Sequence, residues 1–429
     1  MLVAAYGFPP VGGAGVQRVL KLVKYLPAHG VTPTVLTVAN PSVPVRDATL
    51  ERDFPRELEI MRVRTLEPPY GKKAAAWKAR AAPSEVARLT RAVTAVAKQL
   101  LVPDPQILWQ PAAQAALAMQ LVRNAPDVVF VSGPPFSQFL LAPLARLRKG
   151  VGVVLDYRDE WSTYRTTYEM MGSLAARVAD SLEPALLRSA HAVTTATDEF
   201  RAHLLARFPF LDPARVHTIP NGYDPDDFAS DLTPPPEGRL VVTYAGTIFK
   251  LTSARGLMGA IRRLHREEPG LAARLEVRFL GRIVDTEADA FVGMERCGVR
   301  RLGYVSHGEV LRQLAASHLA LCLLDDVPGV ERIYPAKIFE LMHLGRPCLT
   351  LSPEGALTRL VRKHGLGEVI APRDEEAIAR YLANALRTFV HGAPSSHTPR
   401  DEAGIGRYHR HSLAGEFANV MRLARACAS

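Results

Sequence analysis

The sequence predicts an α/β protein built from two doubly wound domains. Short apolar runs alternate along the chain with segments in which apolar residues recur at helical spacing. Such alternation is typical of parallel sheets with helices on both faces. A stretch rich in Pro and Asp, residues 224–238, lacks any periodicity and separates two halves of this kind. With 429 residues the chain is also too long for a single hydrophobic core.

The apolar runs define the predicted strands of each half. In the first half they are 2–6, 34–38, 127–132, 152–157, 191–196 and 216–219. In the second half they are 240–245, 275–280, 300–305, 319–324, 347–351 and 368–371. Helical patterns lie between them, for example at 16–28, 111–123, 171–190 and 255–267.

These elements predict four parts of the chain. The first is a Rossmann-like domain at 1–223, followed by a linker at 224–238 and a second Rossmann-like domain at 239–395. The last is a tail at 396–429 with one amphipathic helix, whose apolar side carries Leu413, Phe417 and Val420. We expect that helix to pack back toward the N-terminal domain.

Composition limits the classes of function. The formal net charge of +10 favours acidic partners, such as phosphorylated substrates or anionic lipid. Basic residues are not interleaved with aromatic ones, so we expect no nucleic acid partner. The four cysteines form no C-x-x-C pair, which argues against a metal knuckle or a disulfide framework and favours a reducing compartment. We therefore expect a cytoplasmic protein, either free or attached to the inner face of the membrane.

The basic charge is concentrated at residues 72–98, which hold seven Lys or Arg residues and one acid. Within this segment Val86, Leu89, Val93 and Val96 repeat at helical spacing. An apolar stripe beside basic residues fits a helix lying on an anionic membrane surface. A helix that packs against the core with a solvated basic back fits the same pattern.

Residues 334–347, Y-P-A-K-I-F-E-L-M-H-L-G-R-P, are the most informative segment. Pro335 and Gly345 predict the start and end of a helix. Lys337 then lies in its first turn, and Glu340 lies one turn further on the same face. A cation beside unpaired backbone N–H groups suits a phosphate, and a nearby carboxylate suits a hydroxyl-rich ring. An ordinary amphipathic helix explains the same spacing.

Three glycines follow the first strand of the first half. Gly12, Gly13 and Gly15 lie between the first strand and a helix, where backbone can approach a ligand closely. A dinucleotide fingerprint would need a glycine in place of Arg18, so NAD and FAD are not expected. A flexible turn without ligand is the alternative.

Two more glycines end strands of the second half, each with a cation nearby. Y-A-G-T-I-F-K brings Gly246 and Lys250 together, with Arg255 as a second candidate cation. F-L-G-R-I contributes Arg282. Several cations at strand ends neutralise a diphosphate without a metal.

Two further motifs belong to the first half. D-Y-R-D-E-W, residues 156–161, ends a strand, and Asp156, Arg158 and Asp159 either pair with one another or contact a ligand. V-H-T-I-P-N-G-Y-D, residues 216–224, runs through Asn221 into a turn. The pair Asp224 and Asp226 is read as turn chemistry, not as a metal site.

In their order and spacing these segments resemble the family 4 (group 1) glycosyltransferases, retaining enzymes of the GT-B fold in which two domains face a central cleft. The resemblance is carried by F-P-P-V-G-G-A-G, I-P-N-G-Y-D, Y-A-G-T and P-A-K-I-F-E-L-M-H-L-G-R-P. D-Y-R-D-E-W and P-D-P-Q-I-L-W are similar to the branch that builds bacterial surface polysaccharides and glycoconjugates.

The resemblance implies a role for each matching residue. Glu340 would bind the donor ribose, and Lys337 would contact the diphosphate, assisted by Arg282 and Lys250. Gly12, Gly13 and Gly246 would complete the donor site. Asp156 and Asp159 would join Lys337 and Arg282 as catalytic candidates, and Arg18, Arg158 and Asn221 would face the acceptor. The chain departs from the family's E-x7-E pattern, since Arg332 stands at the first glutamate.

The expected function is therefore a retaining glycosyltransferase without metal or other cofactor. It would move a sugar from a nucleoside diphosphate donor, of UDP or GDP type, to a glycan, lipid-linked or small-molecule acceptor. A nucleotide-sugar epimerase of the same fold and a non-catalytic scaffold protein are the alternatives.

Overall fold

A computed structural model describes residues 1–79, 100–161, 173–228, 233–392 and 399–429 of the chain. The chain forms two compact units. The first comprises Met1–Pro220 and Arg410–Ser429, and the second comprises Asn221–His409. The expected first domain ended at 223, and the expected tail at 396–429 is divided, because only its part from Arg410 onward belongs to the first unit.

The first unit contains a parallel sheet of seven strands in the order β3-β2-β1-β4-β5-β6-β7. The strands are β1 (Leu2–Ala4), β2 (Thr34–Val38), β3 (Glu59–Val63), β4 (Val128–Gly133), β5 (Gly152–Tyr157), β6 (Ala192–Thr195) and β7 (Val216–Thr218). The helices along this part of the chain are α1 (Ala14–Tyr25), α2 (Tyr70–Ala79), α3 (Gln110–Arg123), α4 (Leu141–Arg146), α5 (Ser173–Ser189) and α6 (Asp198–Arg207).

The second unit contains a parallel sheet of six strands in the order β10-β9-β8-β11-β12-β13. The strands are β8 (Leu240–Ala245), β9 (Leu275–Leu280), β10 (Val299–Gly303), β11 (Leu319–Leu323), β12 (Cys348–Leu351) and β13 (Gly367–Ile370). The helices are α7 (Arg255–Glu267), α8 (Pro269–Ala272), α9 (His307–Ala315), α10 (Lys337–Leu344), α11 (Ala356–Lys363), α12 (Glu375–His391) and α13 (Glu402–Gly406). The chain ends with α14 (Arg410–Ala426).

Alternate residues of the strands bury opposite faces of each sheet, as parallel sheets covered on both sides require. On β1, Leu2 and Ala4 join one core cluster, whereas Val3 joins the other. Helix α14 covers the face that carries Val3, and the ring of its Phe417 meets that of Phe130 edge-on at 5.6 Å between centroids.

The predicted α/β class with two parallel sheets is confirmed, and every predicted strand is present. One strand was missed. β3, with the sequence E-I-M-R-V, lies at the edge of the first sheet and pairs only with β2 in the described ranges. Its side chains are partly exposed and include charges, so it lacks the continuous apolar run that marks a buried parallel strand.

Residues 80–99 hold the apolar repeat of the predicted basic helix, and this repeat lies outside the described residues. Within the described ranges, no helix combines the length and apolar character needed to cross a bilayer.

Candidate functional site

The strand order of the second unit points to a particular edge of its sheet. Chain direction away from the first strand reverses between β8 and β11, which lie side by side at the centre. In open parallel sheets, ligands bind outside the carboxyl ends of the strands at such a reversal. Gly246 follows β8 directly, and Gly281 follows the neighbouring β9, so the glycine-containing loops lie at this edge.

These two loops pack backbone against backbone. Gly281 has a φ of +127°, and a Cβ atom there would lie 2.2 Å from the carbonyl oxygen of Gly246. The N–H of Gly246 donates to the oxygen of Leu280 at 2.9 Å, and the N–H of Gly281 donates to that of Gly303 at 2.7 Å. Only glycine at position 281 permits this approach, which holds the ends of β8, β9 and β10 together.

Lys250 and Arg282 follow these loops, and both side chains are exposed. Within the described part of the chain, neither forms an ion pair, which leaves both cations available to a ligand. The second candidate cation is engaged: Nη2 of Arg255 lies 2.6 Å from Oδ1 of Asp289. Lys250 and Arg282 are therefore both candidates for binding an anion.

Helix α10 has the predicted C-terminal end and the predicted buried side, and it begins two residues after Pro335, the predicted start. It begins at Lys337, and Gly345 ends it in the left-handed conformation, with a φ of 70°. Ile338, Phe339, Leu341 and Met342 are buried, which orients the opposite side of the helix outward. On that side, Nζ of Lys337 lies 2.7 Å from Oε2 of Glu340.

Glu340 has a second partner that sequence reasoning missed. Nε2 of His307, the first residue of α9, lies 3.2 Å from Oε1 of Glu340. Burial alone would raise the pKa of Glu340, but the charge of Lys337 and the hydrogen bond from His307 outweigh burial and lower the pKa to about 2. The carboxylate is therefore ionised at neutral pH. Ser306 followed three residues later by Glu309 is a capping-box pattern, which predicts the start of α9. No pattern in the neighbouring sequence indicates that His307 pairs with Glu340.

Arg332 occupies the position of the missing first glutamate. It belongs to a short 3-10 turn, Val330–Arg332, and its guanidinium contacts the carboxylate of the adjacent Glu331. The backbone of Glu331 packs against Gly355, where an added Cβ would lie 2.6 Å from the Cα of Glu331. This turn is therefore held at the start of α11.

In the first unit, Gly12 and Gly13 lead into α1. The N–H of Gly12 donates to the oxygen of Val45 at 3.1 Å. Gly13 has φ 98° and ψ 167°, a conformation that only glycine adopts without strain. An added Cβ at Gly13 would have no described atom within 4 Å, so the start of α1 is open on that side.

Asp156 lies in a buried polar row that crosses three strands. Ser132 on β4 and Thr194 on β6 are its register neighbours, and their hydroxyl groups donate to it at 2.8 and 2.7 Å. Nη2 of Arg18 on α1 lies 2.8 Å from Oδ1 of Asp156. Burial favours the neutral acid, but Arg18 and the hydroxyl groups keep the pKa of Asp156 below its usual value.

The guanidinium of Arg18 also donates to the carbonyl oxygens of Ile219 at 2.8 Å and Pro220 at 2.9 Å. Arg18 thus ties α1 to β5 and to the segment after β7. Asp156 is fully buried, and this geometry favours the structural network over contact with a substrate for both residues.

The remaining candidates of the first half differ in accessibility. Arg158 contacts the carbonyl oxygens of Gly15 and Pro134, so it joins the start of α1 to the loop after β4. Asp159 is exposed. Asn221 is the first residue of the second unit and is half-buried.

The pair Asp224 and Asp226 shows the expected turn chemistry. The N–H of Asp226 donates to Oδ1 of Asp224 at 3.1 Å, which caps the 3-10 turn Pro225–Asp227.

Comparison with known proteins agrees with this arrangement. Residues 12–222 match the family described as Glycosyl transferase 4-like domain. The chain is similar to an alpha-maltose-1-phosphate synthase of Mycolicibacterium smegmatis, with 26% identity over 179 residues. That match covers 39% of this chain and 45% of the relative, so the similarity spans less than half of either protein.

Solved structures resemble the chain over nearly its whole length. A sucrose-phosphate synthase of Thermosynechococcus elongatus has a TM-score of 0.60 at 14% identity, and the match covers 98% of each chain. The Anabaena protein HepE, in complex with UDP and glucose, has a TM-score of 0.56 at 14% identity, covering 99% of this chain and 97% of HepE. Together the matches show a GT-B fold that contains a glycosyl transferase 4-like domain at residues 12–222.

Proposed function

We propose that this protein is a retaining glycosyltransferase that needs no metal and uses a nucleoside diphosphate sugar as donor. The observation that carries the proposal is the pair of Lys337 and Glu340 at the start of α10, at the edge of the sheet where ligands of this fold bind. A cation in the first turn of a helix suits the diphosphate, and an ionised carboxylate suits the hydroxyl groups of a ribose.

Transfer of the sugar requires stabilisation of the charge that develops as the diphosphate departs. As the bond between the sugar and the diphosphate breaks, negative charge grows on the departing phosphate oxygens. Lys337, Arg282 and Lys250 supply positive charge for this purpose. In the retaining step that we propose, the acceptor hydroxyl attacks from the face that the diphosphate leaves. A departing phosphate oxygen takes the hydroxyl proton, so no separate base is required.

We assign the acceptor to a glycan, lipid-linked or small-molecule hydroxyl compound of bacterial surface glycoconjugate synthesis, and its recognition to the first unit. The exposed Asp159 is the candidate for that contact. Attachment to an anionic membrane through residues 72–98 belongs to the same proposal, since lipid-linked acceptors lie at a membrane surface.

The test is thermal unfolding of the purified protein with UDP, GDP, dTDP and ADP, beside the variant Lys337→Ala. A nucleotide at 100 times its Kd adds about 2.7 kcal/mol to the free energy of unfolding. We expect UDP or GDP to raise Tm and the variant to lose that rise. The absence of a shift with any nucleotide would favour the scaffold alternative.

A product assay then separates transfer from epimerisation. The protein is incubated with the identified nucleotide sugar, without and with candidate acceptors. Release of free nucleoside diphosphate that increases with acceptor supports glycosyl transfer. Conversion of the donor sugar into its epimer without release of nucleotide supports the epimerase.

A further inference from the structure

The side chain of His307 holds the carboxylate that we assign to the donor ribose. Its Nε2 atom lies 3.2 Å from Oε1 of Glu340, 33 residues further along the chain. Both side chains are largely buried, with exposed fractions of 11% for His307 and 13% for Glu340. Such burial limits the rotamers available to either group.

The contact arises where the N-terminal ends of α9 and α10 meet. His307 is the first residue of α9, directly after Ser306, whose hydroxyl accepts a hydrogen bond from the N–H of Glu309. Glu340 lies in the first turn of α10. The two helices are in contact, so the histidine reaches one oxygen of Glu340 from α9 while Lys337 reaches the other from α10.

The donor and acceptor roles in this group follow from the charge of Glu340. An ionised carboxylate only accepts hydrogen bonds, so Nε2 of His307 and Nζ of Lys337 both donate. Each carboxylate oxygen has two lone pairs. One lone pair of Oε1 accepts from His307, and one lone pair of Oε2 accepts from Lys337. Each oxygen therefore retains one lone pair that can accept a further hydrogen bond. Two such positions match the 2′ and 3′ hydroxyl groups of a ribose.

We propose that His307 is a positioning residue that makes the donor site select ribonucleoside over deoxyribonucleoside diphosphates by holding Glu340 in place for the ribose hydroxyl groups. This inference depends on the proposed function, because it deepens the assignment of the same site. The lowered pKa of Glu340 supports it, since the carboxylate is an acceptor throughout the neutral range.

The experiment measures the Kd of UDP and 2′-deoxy-UDP by calorimetry, or of GDP and 2′-deoxy-GDP if guanosine is preferred. A hydrogen bond to a charged group is worth about 10- to 100-fold in affinity, which is the preference expected of the wild type for the ribonucleotide. The matched variants are His307→Gln and His307→Asn. The amide nitrogen of Gln can take the place of Nε2, whereas that of Asn reaches only as far as Nδ1.

We expect His307→Gln to keep most of the preference for the ribonucleotide and His307→Asn to reduce it to less than about threefold. Ser306→Ala is the control for a damaged helix end, because it removes the cap of α9 without touching Glu340. Losing a cap destabilises the helix end, so Tm should fall while the preference is unchanged.

Two results would overturn the inference. His307→Asn could retain the full preference, even where it weakens the binding of both nucleotides, or Ser306→Ala could reduce the preference as much as His307→Asn does. Each of these leaves the proposed function intact, provided that the wild type binds the ribonucleotide. A wild type that binds neither nucleotide overturns the proposed function together with this inference.

Discussion

Nη2 of Arg18 lies 2.8 Å from Oδ1 of Asp156, and the pair is buried between α1 and the first sheet. Two hydroxyl groups also donate to Asp156, and Arg18 also donates to two carbonyl oxygens. The pair therefore anchors the helix that follows the glycines at positions 12 and 13.

Replacing Asp156 with Asn should destabilise the protein strongly. The guanidinium of Arg18 would remain buried without its counter-charge, and breaking a buried pair in this way costs about 3–5 kcal/mol. Urea unfolding measures this change. Asp159→Asn is the matched control three positions further on, and its exposed side chain predicts a change within about 0.5 kcal/mol. Equal stability of the two variants would contradict the anchoring role.

Replacing Lys337 with Ala should lower kcat by about 100-fold, the scale expected when one charge-stabilising group is lost. Steady-state assays with the identified donor and acceptor measure the change. Lys363→Ala removes an exposed lysine at the end of α11 in the same unit and should leave kcat unchanged. Near-normal turnover of Lys337→Ala would refute the assignment of this lysine to the diphosphate.

The stability that Glu340 contributes should disappear in acid. Its pKa is lowered from 4.5 in the unfolded chain to about 2 in the folded protein, so ionised Glu340 stabilises the fold above pH 4.5. That contribution is lost as the pH falls from about 4.5 to 2. Unfolding of the wild type and Glu340→Gln should differ by about 1–3 kcal/mol at neutral pH, and the difference should shrink toward pH 3. A difference independent of pH would contradict the lowered pKa.

Transfer activity should survive removal of divalent metal. We expect Lys337, Arg282 and Lys250 to neutralise the departing diphosphate in the role that a metal ion plays elsewhere. Turnover is compared in buffer, after treatment with a chelator, and after later addition of manganese. Loss of activity in chelator followed by recovery with manganese would show that a metal is required.

Much of the fold was predictable because buried parallel strands are continuous apolar runs. The strands from β8 to β13 all coincide with runs recognised in the sequence. The edge strand β3 escaped recognition, because its partial exposure admits Glu59 and Arg62 among the apolar residues. Its assignment depends on pairing with β2, which no local pattern reveals.

The residues of the candidate site were predictable only where their partners lie in the same helix. Lys337 and Glu340 were identified from spacing within one helix, since side chains three positions apart share a face. For Asp156 the sequence permits two interpretations, because its partners Ser132 and Thr194 belong to other strands. No local pattern indicates the role of His307, because it reaches Glu340 from a different helix.

The sequence by itself determined the two parallel sheets, the helix that ends at Gly345, and the placing of a cation and a carboxylate on one side of that helix. Each of these follows from periodicity, propensity and end signals within a few residues. Only the tertiary structure decided that Arg18 neutralises Asp156 and that His307 holds Glu340. Those pairings depend on which side chains from distant parts of the chain are buried together. Burying a charge costs free energy unless the charge is paired, so the fold must bring a partner to it.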